Sequence, residues 1–391
     1  MLRFEEAYEL ALSHVKTLSC FNVDLLDSLG YTLAEDVISD INMPPFDKSS
    51  MDGYACKMSD IQNELEVIEV IAAGDVSQKI ILTNQCAKIM TGAKVPVGAD
   101  CVLMVEDIEE ISANKIRYLK AKTPINISFC AEDIKKDAVV LPKGIKIKPQ
   151  HIAIMASVGC IQPMVYKKPV VTVIATGSEL VEPDAIPGPT QIRNSNAFQI
   201  ISQLERANAT ANYLGIAGDS EKETDDIIKR ALAESDLILI TGGVSMGDFD
   251  FVPKVLKANG FHLHFESILM KPGKPTVFGT HENCAVFGFP GNPVAAFVVF
   301  EVIVKDFMNK MMGCLEKSKP ITLSLGTNFK RSKADRLGWI PSIINNAGEV
   351  IPVEYHGSAH LHSICNADVI FPIQAGISEI HKGEKVHVRQ I

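Results

Sequence analysis

Apolar positions along the chain change their spacing several times, and each change predicts a different kind of structure. Phe4, Ala7, Leu10, Ala11 and Val15 recur at helical intervals, and a second short helix is predicted over Val23–Ala34. The run from Met43 to Tyr54, with Pro44, Pro45 and Asp52-Gly53, reads as a turn-rich loop. From Ala55 to Ile147 the pattern is one of short strand-like runs, such as Val67–Ala72, Ala87–Met90, Cys101–Val105 and Ile116–Leu119. Turn residues separate them, which predicts a β-rich domain.

Around Pro149 the texture changes. Ile152–Gly159 reads as helix, and Val170–Ala175 is a continuous apolar, β-branched run of the kind buried on both faces. Helices over Ala197–Asn208, Lys222–Ser235, Phe251–Ala258 and Val294–Met308 then alternate with strands over Thr210–Gly215, Leu237–Thr241, Phe261–Phe265, Val277–Phe278 and Ala285–Phe287. That alternation predicts a doubly wound α/β domain with a parallel sheet. His262 and His264 alternate with Phe261, Leu263 and Phe265, so they are expected on the solvated face of a half-buried strand. From Ile321 to Ile391 short strands return, predicting a small separate β domain.

Bulk properties narrow the function classes. A chain of 391 residues accommodates two to four domains, and 47% hydrophobic with 22% charged residues is ordinary globular composition. A net charge of −9 argues against non-specific nucleic-acid binding. Nine scattered cysteines without C-x-x-C spacing argue against a disulfide framework or structural zinc and fit reduced thiols in the cytoplasm. The acidic N-terminal pattern is unlike a signal peptide. The longest apolar run, Pro293–Val304, is interrupted by Glu301 and is far shorter than the ~20 residues that span a bilayer.

In an open α/β sheet ligands bind beyond the carboxyl ends of the strands. Four loops there are rich in glycine: Ala175–Leu180, Thr241–Asp250, Met270–Pro275 and Gly288–Pro293. Glycine lets backbone amides approach a phosphate, and Asn292 with Pro293 is expected to cap and open a helix whose N-terminus favours an anion. Lys271 and Lys274 add positive charge, while Glu179, Asp219 and Asp250 supply carboxylates suited either to Mg2+ or to local capping. No P-loop, dinucleotide-binding or H-E-x-x-H motif is present. Gly243-Val244-Ser245-Met246-Gly247 matches the G-x-S-x-G nucleophile elbow, but Gly242-Gly243 lengthens the turn, so a Ser245 hydrolase is the minor alternative. His356, His360 and His362 cluster, and a zinc site on a strand there is the alternative to a solvated face.

With these segments the sequence resembles the molybdopterin molybdenumtransferases, the bacterial MoeA proteins and the E domain of gephyrin. The resemblance runs along essentially the whole chain. It rests on Pro45-Phe46-Asp47, Ser50-Met51-Asp52-Gly53-Tyr54-Ala55, Met90-Thr91-Gly92-Ala93 and Gly98-Ala99-Asp100. Further on it rests on the four loops above, including Lys271-Pro272-Gly273-Lys274-Pro275 and Gly288-Phe289-Pro290-Gly291-Asn292-Pro293.

The resemblance implies an elongated subunit of four parts. These are an α/β domain of the MoaB/MogA type (1–19 and 165–318), a linker domain (20–44 and 135–164), a β-rich insertion (45–134) and a C-terminal β-barrel-like domain (319–391). It implies insertion of molybdenum from molybdate into adenylylated molybdopterin, with Mg2+ and release of AMP. The expected assembly is a homodimer whose cleft draws on both chains, with contact to the molybdopterin adenylyltransferase, and with neither nucleic acid nor membrane as partner. A non-enzymatic scaffold is the alternative from the same resemblance. Lys271, Lys274, Pro275, Arg336 and Ser358 are the implied oxyanion pocket, and Asp219 and Asp250 the implied Mg2+ carboxylates. Asp52, Thr91, Asp133 and Glu179 match positions tied to activity. Ser178, Gly242, Gly243, Ser245, Pro290, Gly291, Asn292 and Pro293 line the implied substrate site. One stretch departs: where the family carries arginines and a glycine, this chain reads Asn126–Ala131, which implies either weaker substrate contacts from that stretch or a substitute cation such as Lys135 or Lys136.

Overall fold

Val170–Thr176 is buried at every position after the first, as its β-branched run requires. It lies between Thr210–Ala217 and Leu237–Thr241, parallel to both, and Cys284–Phe289 extends the parallel set. Beyond that strand the sheet is no longer parallel. Val277–His281 and His262–Phe265 run antiparallel at this edge, which corrects the expectation of a wholly parallel sheet. The cause is local: His281 pairs with Cys284, leaving only Glu282-Asn283 as a turn, too short for a crossover helix. The structure, a computed structural model, describes all residues except 219, 245–249, 317–319, 355–356 and 358–359.

Helices cover both faces of this sheet. Asn196–Arg206, the N-terminal Phe4–Ser13 and the helix that begins at Pro293 pack on one face, where Ala7, Ala11, Ile200, Leu204, Phe287 and Phe307 share a core. Glu221–Glu234 and Val252–Ala258 cover the other, around Ile174, Ile228, Ile240 and Leu256. Pro293–Val299 continues through a π-type stretch, Phe300–Val304, into Lys305–Met311. Glu301 in that stretch is fully buried and accepts from Gln203 Nε2 at 2.7 Å, Lys305 Nζ at 3.2 Å and the Arg206 guanidinium. A carboxylate at this depth is tolerable only with such partners.

Val23–Ala34 is not a helix. Only one turn, Leu26–Ser28, forms, and Gly30 at φ +81° breaks it. Leu26 and Leu29 are exposed, so their spacing marks no buried stripe, while Leu33 forms a bridge with Val165. Leu33 belongs to a small core with Val37, Leu141, Ile147, Met155, Val158 and Val165 beside the helix Pro149–Ser157. The β-rich region is a six-stranded sheet with cores on both faces, one around Tyr54, Leu65 and Leu103, the other around Ala55, Ile71 and Val102.

Ile268–Lys271 belongs elsewhere than expected. It joins the C-terminal mixed sheet, between Leu2–Arg3 and Leu337–Ile344, with Met270 opposite Leu337 and Lys271 opposite Gly338. Leu337, Trp339 and Ile370 of that sheet pack into the α/β core itself. Arg389 fastens the seam: it donates to Glu301 O at 2.6 Å and pairs with Asp306, which also accepts from Tyr8 OH at 3.0 Å.

His264 is not simply solvated. Its ring lies 3.8 Å from that of His14 and stacks on Phe278, and Nε2 is 2.8 Å from Thr280 Oγ1. Burial, with His14 and His262 close by, pushes its pKa down to about 4. His360 and His362 stand at a one-turn 3-10 helix, Leu361–Ile364, rather than on a strand, and both are exposed. Among the described residues no group of three or more His, Cys, Asp or Glu is placed to hold a metal, and no helix is long and apolar enough to cross a membrane.

Candidate functional site

Three parallel strands deliver their carboxyl ends, Thr176, Thr241 and Phe289, to one edge. The loops beyond them enclose a cavity of about 780 Å3 lined by Gly177, Glu179, Gly242, Gly243, Asp250, Pro290, Gly291, Asn292 and Pro293, all within the glycine-rich loops named from the sequence. Sterics explain the glycine pair. Gly242 sits at φ +91°, and a Cβ there would lie 2.3 Å from the carbonyl oxygen of Thr176. Gly243, at φ +63°, would bring a Cβ within 2.7 Å of Thr176 Oγ1. Two glycine amides are not open to a phosphate as expected. Gly177 N–H donates to Ala217 O at 3.2 Å and Gly242 N–H to Phe289 O at 3.1 Å, closing the ends of the parallel ladders. Gly291 is different, since a Cβ there would meet nothing within 4 Å. Asn292 and Pro293 stand at N-cap and first helical positions, so the helix N-terminus faces the cavity as predicted.

Arg193, Asn194 and Asn196 also line it and were not anticipated, whereas Thr176 and Thr241 fall within two of the loops named from the sequence without being singled out. Asn196, 8% exposed, donates to Thr241 Oγ1 at 2.9 Å and to Gly291 O at 2.7 Å, tying two glycine loops together. Asn194 donates to Tyr213 OH at 2.8 Å, and that hydroxyl donates to Glu182 at 2.7 Å. Burial first, and Glu182 second, raise the Tyr213 pKa beyond the usual phenol range. The signal available was Arg193-Asn194-Ser195-Asn196, a polar cluster opening a helix after a proline- and glycine-rich segment.

A second cavity of about 210 Å3 adjoins the first, sharing Pro275, Pro290 and Asn292 with it. Lys271, Lys274 and Arg336 line it together with Pro272, Gly273 and Ala295. Its loop turns through a cis Lys271-Pro272 bond and through Gly273 at φ +112°, where a Cβ would meet Met270 at 2.7 Å and Val299 at 2.8 Å. Arg331 holds the Arg336 segment by donating to Arg336 O at 3.0 Å, Ile377 O at 2.8 Å and Gln374 O at 2.6 Å. Arg336 itself pairs with Asp335 at 3.2 Å.

Three segments of the chain match known family models: the MoeA N-terminal region (domain I and II) over residues 2–159, a probable molybdopterin-binding domain over 172–310, and the MoeA C-terminal region (domain IV) over 323–391. The molybdopterin molybdenumtransferase of Staphylococcus epidermidis is 35% identical over 395 residues, covering 98% of this chain and 94% of its own length. This chain belongs to the molybdopterin molybdenumtransferase family. The Bacillus subtilis member is 39% identical over 297 residues, spanning 73% of this chain and 69% of that relative. A crystal structure of the moeA protein of Pyrococcus horikoshii superposes with a TM-score of 0.87 at 29% identity, covering all of both chains. The α/β-plus-β architecture is therefore that of the family, and the chain is an enzyme of molybdenum cofactor biosynthesis.

Placed against this family, the remaining site residues fall into separate groups. Asp52, Thr91 and Asp133 line neither cavity described above. Asp52 Oδ1 accepts from Thr91 N at 2.7 Å and Thr91 Oγ1 at 2.8 Å, and these bonds hold its carboxyl below the usual range. An exposed, stabilised carboxylate of this kind accepts and positions; it does not donate a proton near neutral pH. Gly53 beside it is obligatory, because a Cβ would fall 1.8 Å from Leu103 O. Asp133 lines a third hollow with Glu132, Lys48 and Ser128. The neighbouring Asn126–Ala131 stretch is held by Ala131 N–H to Pro44 O at 3.0 Å and Cys130 N–H to Asp47 at 2.7 Å. Ala131 adopts φ +62°, a left-handed conformation suited to the family's glycine. Lys48, rather than Lys135 or Lys136, is the cation lining that hollow. Ser178 is exposed beside Glu179. Asp219, Ser245 and Ser358 lie outside the described residues.

Proposed function

We propose that this enzyme inserts molybdenum into adenylylated molybdopterin, taking the metal from molybdate and releasing AMP. What supports the reading is the adjacency of two unlike cavities that share Pro275, Pro290 and Asn292. The larger offers the exposed Gly291 and a helix N-terminus to nucleotide phosphates. The smaller offers Lys271, Lys274 and Arg336 to a compact dianion. In this reading the cationic side chains hold molybdate against the pterin end of a substrate whose phosphates lie along the glycine loops. Ser178, exposed in the neighbouring loop, would add a hydroxyl donor, and Ser245 and Ser358 are assigned the same role by the family resemblance alone.

Asp250, at the larger cavity, would hold Mg2+ together with Asp219. Oxygen donors from one or two carboxylates, completed by phosphate oxygens and water, suit that hard cation. When bound, Mg2+ neutralises charge at the pyrophosphate that is cleaved. Glu179, exposed at the cavity wall, is positioned to accept hydrogen bonds from substrate or its hydration shell.

The subunit acts as a homodimer in this proposal, with Asp52, Thr91 and Asp133 serving the cavities of the partner chain, and with substrate handed over by the molybdopterin adenylyltransferase in the cytoplasm. Two experiments test it. AMP release from adenylylated molybdopterin should require both molybdate and Mg2+, with cofactor formed alongside; release indifferent to molybdate would refute the coupling. Mixing Asp52→Ala chains with Lys274→Ala chains should restore, at limiting molybdate, turnover that neither variant reaches alone. No recovery in a mixture shown to contain heterodimers would place all the groups in one chain.

A further inference from the structure

Thr176 ends the central strand, lines the larger cavity, and is 6% exposed. Its hydroxyl oxygen is shielded from water and has no hydrogen-bond partner. Leaving a buried hydroxyl unpaired is destabilising, so an unpaired one at a cavity wall wants an explanation. Its neighbours supply a setting. Gly242 and Gly243 lie directly against it, at distances where a Cβ would stand 2.9 Å and 2.7 Å from Oγ1. Both glycines hold positive φ, and glycine crosses between such conformations with little steric penalty. At those two points the backbone beside the hydroxyl belongs to the most adaptable residue type. Thr241, at the corresponding end of the next strand, has its hydroxyl paired to Asn196, so an unpaired threonine is not a general property of this edge.

We propose that the Thr176 hydroxyl is a ligand-binding group, reached when the Gly242-Gly243 backbone turns aside, and that it donates to a phosphate oxygen of the nucleotide part of the substrate. The inference rests on the nucleotide reading of the cavity given above. It accounts for a polar atom kept in a buried position at the expense of the free protein, because the partner arrives with the ligand. It also gives the glycine pair a second role beyond fitting under Thr176, since any side chain at either position would lock the hydroxyl away.

The test is calorimetric titration of AMP into the intact protein and into Thr176→Val and Thr176→Ser, with the melting temperature of each. Valine keeps the shape and removes the hydroxyl. The expected result is an unchanged or raised melting temperature with AMP affinity weakened roughly tenfold, and near-normal affinity for Thr176→Ser. A merely structural threonine would behave otherwise: valine would lower the melting temperature and leave affinity alone. AMP bound equally by wild type and Thr176→Val would overturn this inference while leaving the nucleotide reading standing. Failure of the wild type to bind AMP would overturn both.

Discussion

Asn196→Ala removes the side chain that joins the ends of two strands. In the native chain its amide donates to a buried threonine hydroxyl at 2.9 Å and to the Gly291 carbonyl at 2.7 Å. Alanine leaves Thr241 Oγ1, in a residue 2% exposed, without that donor, whereas Gly291 is exposed and its carbonyl can turn to water. One buried hydroxyl left unpaired costs about 1–2 kcal/mol, and the second, re-solvated bond adds about 0.5 kcal/mol, giving roughly 2 kcal/mol in all. For a domain of this size that corresponds to a melting-temperature drop of about 4–8 °C. The functional effect is separate. Gly291 precedes the helix N-terminus, so loosening it should raise the KM for the adenylylated substrate more than it lowers kcat. Thermal melts and steady-state AMP release measure the two. A melt within about 1 °C of wild type together with an unchanged KM would refute the reasoning, since a bond pair of this geometry would then carry nothing.

Lys274→Ala should raise the molybdate concentration needed for half-maximal turnover about tenfold or more, as expected for losing a charged hydrogen bond; an unchanged dependence would remove the smaller cavity from the oxyanion role. His264 has a depressed pKa, about 4 against an ordinary 6.5, so its neutral form supports folding above about pH 6.5 and that support is lost as pH falls toward 4. Discounted for partial exposure, the loss is about 1 kcal/mol by pH 5, and His264→Gln should flatten that part of the stability profile in urea titrations. Arg389→Ala should lower stability by about 2–3 kcal/mol, because Asp306 and the Glu301 carbonyl lose a largely buried donor; a urea midpoint equal to wild type would count against the seam. Ala131→Gly should raise stability by roughly 0.5–1 kcal/mol by relieving a left-handed alanine, with no loss of AMP release.

Much of the α/β domain was legible because its strands are continuous apolar runs and its helices carry caps and stripes. Val170–Thr176, Leu237–Thr241 and Glu221–Glu234 sit within a residue or so of the predicted ranges. The errors have physical causes. Val23–Ala34 has helical spacing, yet two of its leucines face water, and spacing alone does not report which side is buried. The antiparallel edge was missed because a two-residue turn at Glu282-Asn283 carries no strong turn signature. At the site, glycines, lysines and Arg336 were readable from loop composition and family motifs. Thr176 and Asn196 were not, because their importance lies in what reaches them in space rather than in a spacing along the chain. The amides of Gly177 and Gly242 were misjudged for the same reason: neighbouring strand ends already hold them.

Ile268–Lys271 pairs with the C-terminal sheet although the loop it launches lies against the α/β edge. The α/β domain is thus not a portable module. Excising it at its C-terminal helix would keep the glycines of the site loops and both lysines in the chain, yet strip away Arg336 and Leu337–Ile344, the strand that Ile268–Lys271 pairs with. The glycine-lined cavity draws on the retained chain apart from Leu361, whereas the cationic cavity loses Arg336 and the strand that backs its loop. Gene fusions, permutations or minimal fragments of this enzyme must therefore respect a border that the order of residues along the chain does not reveal.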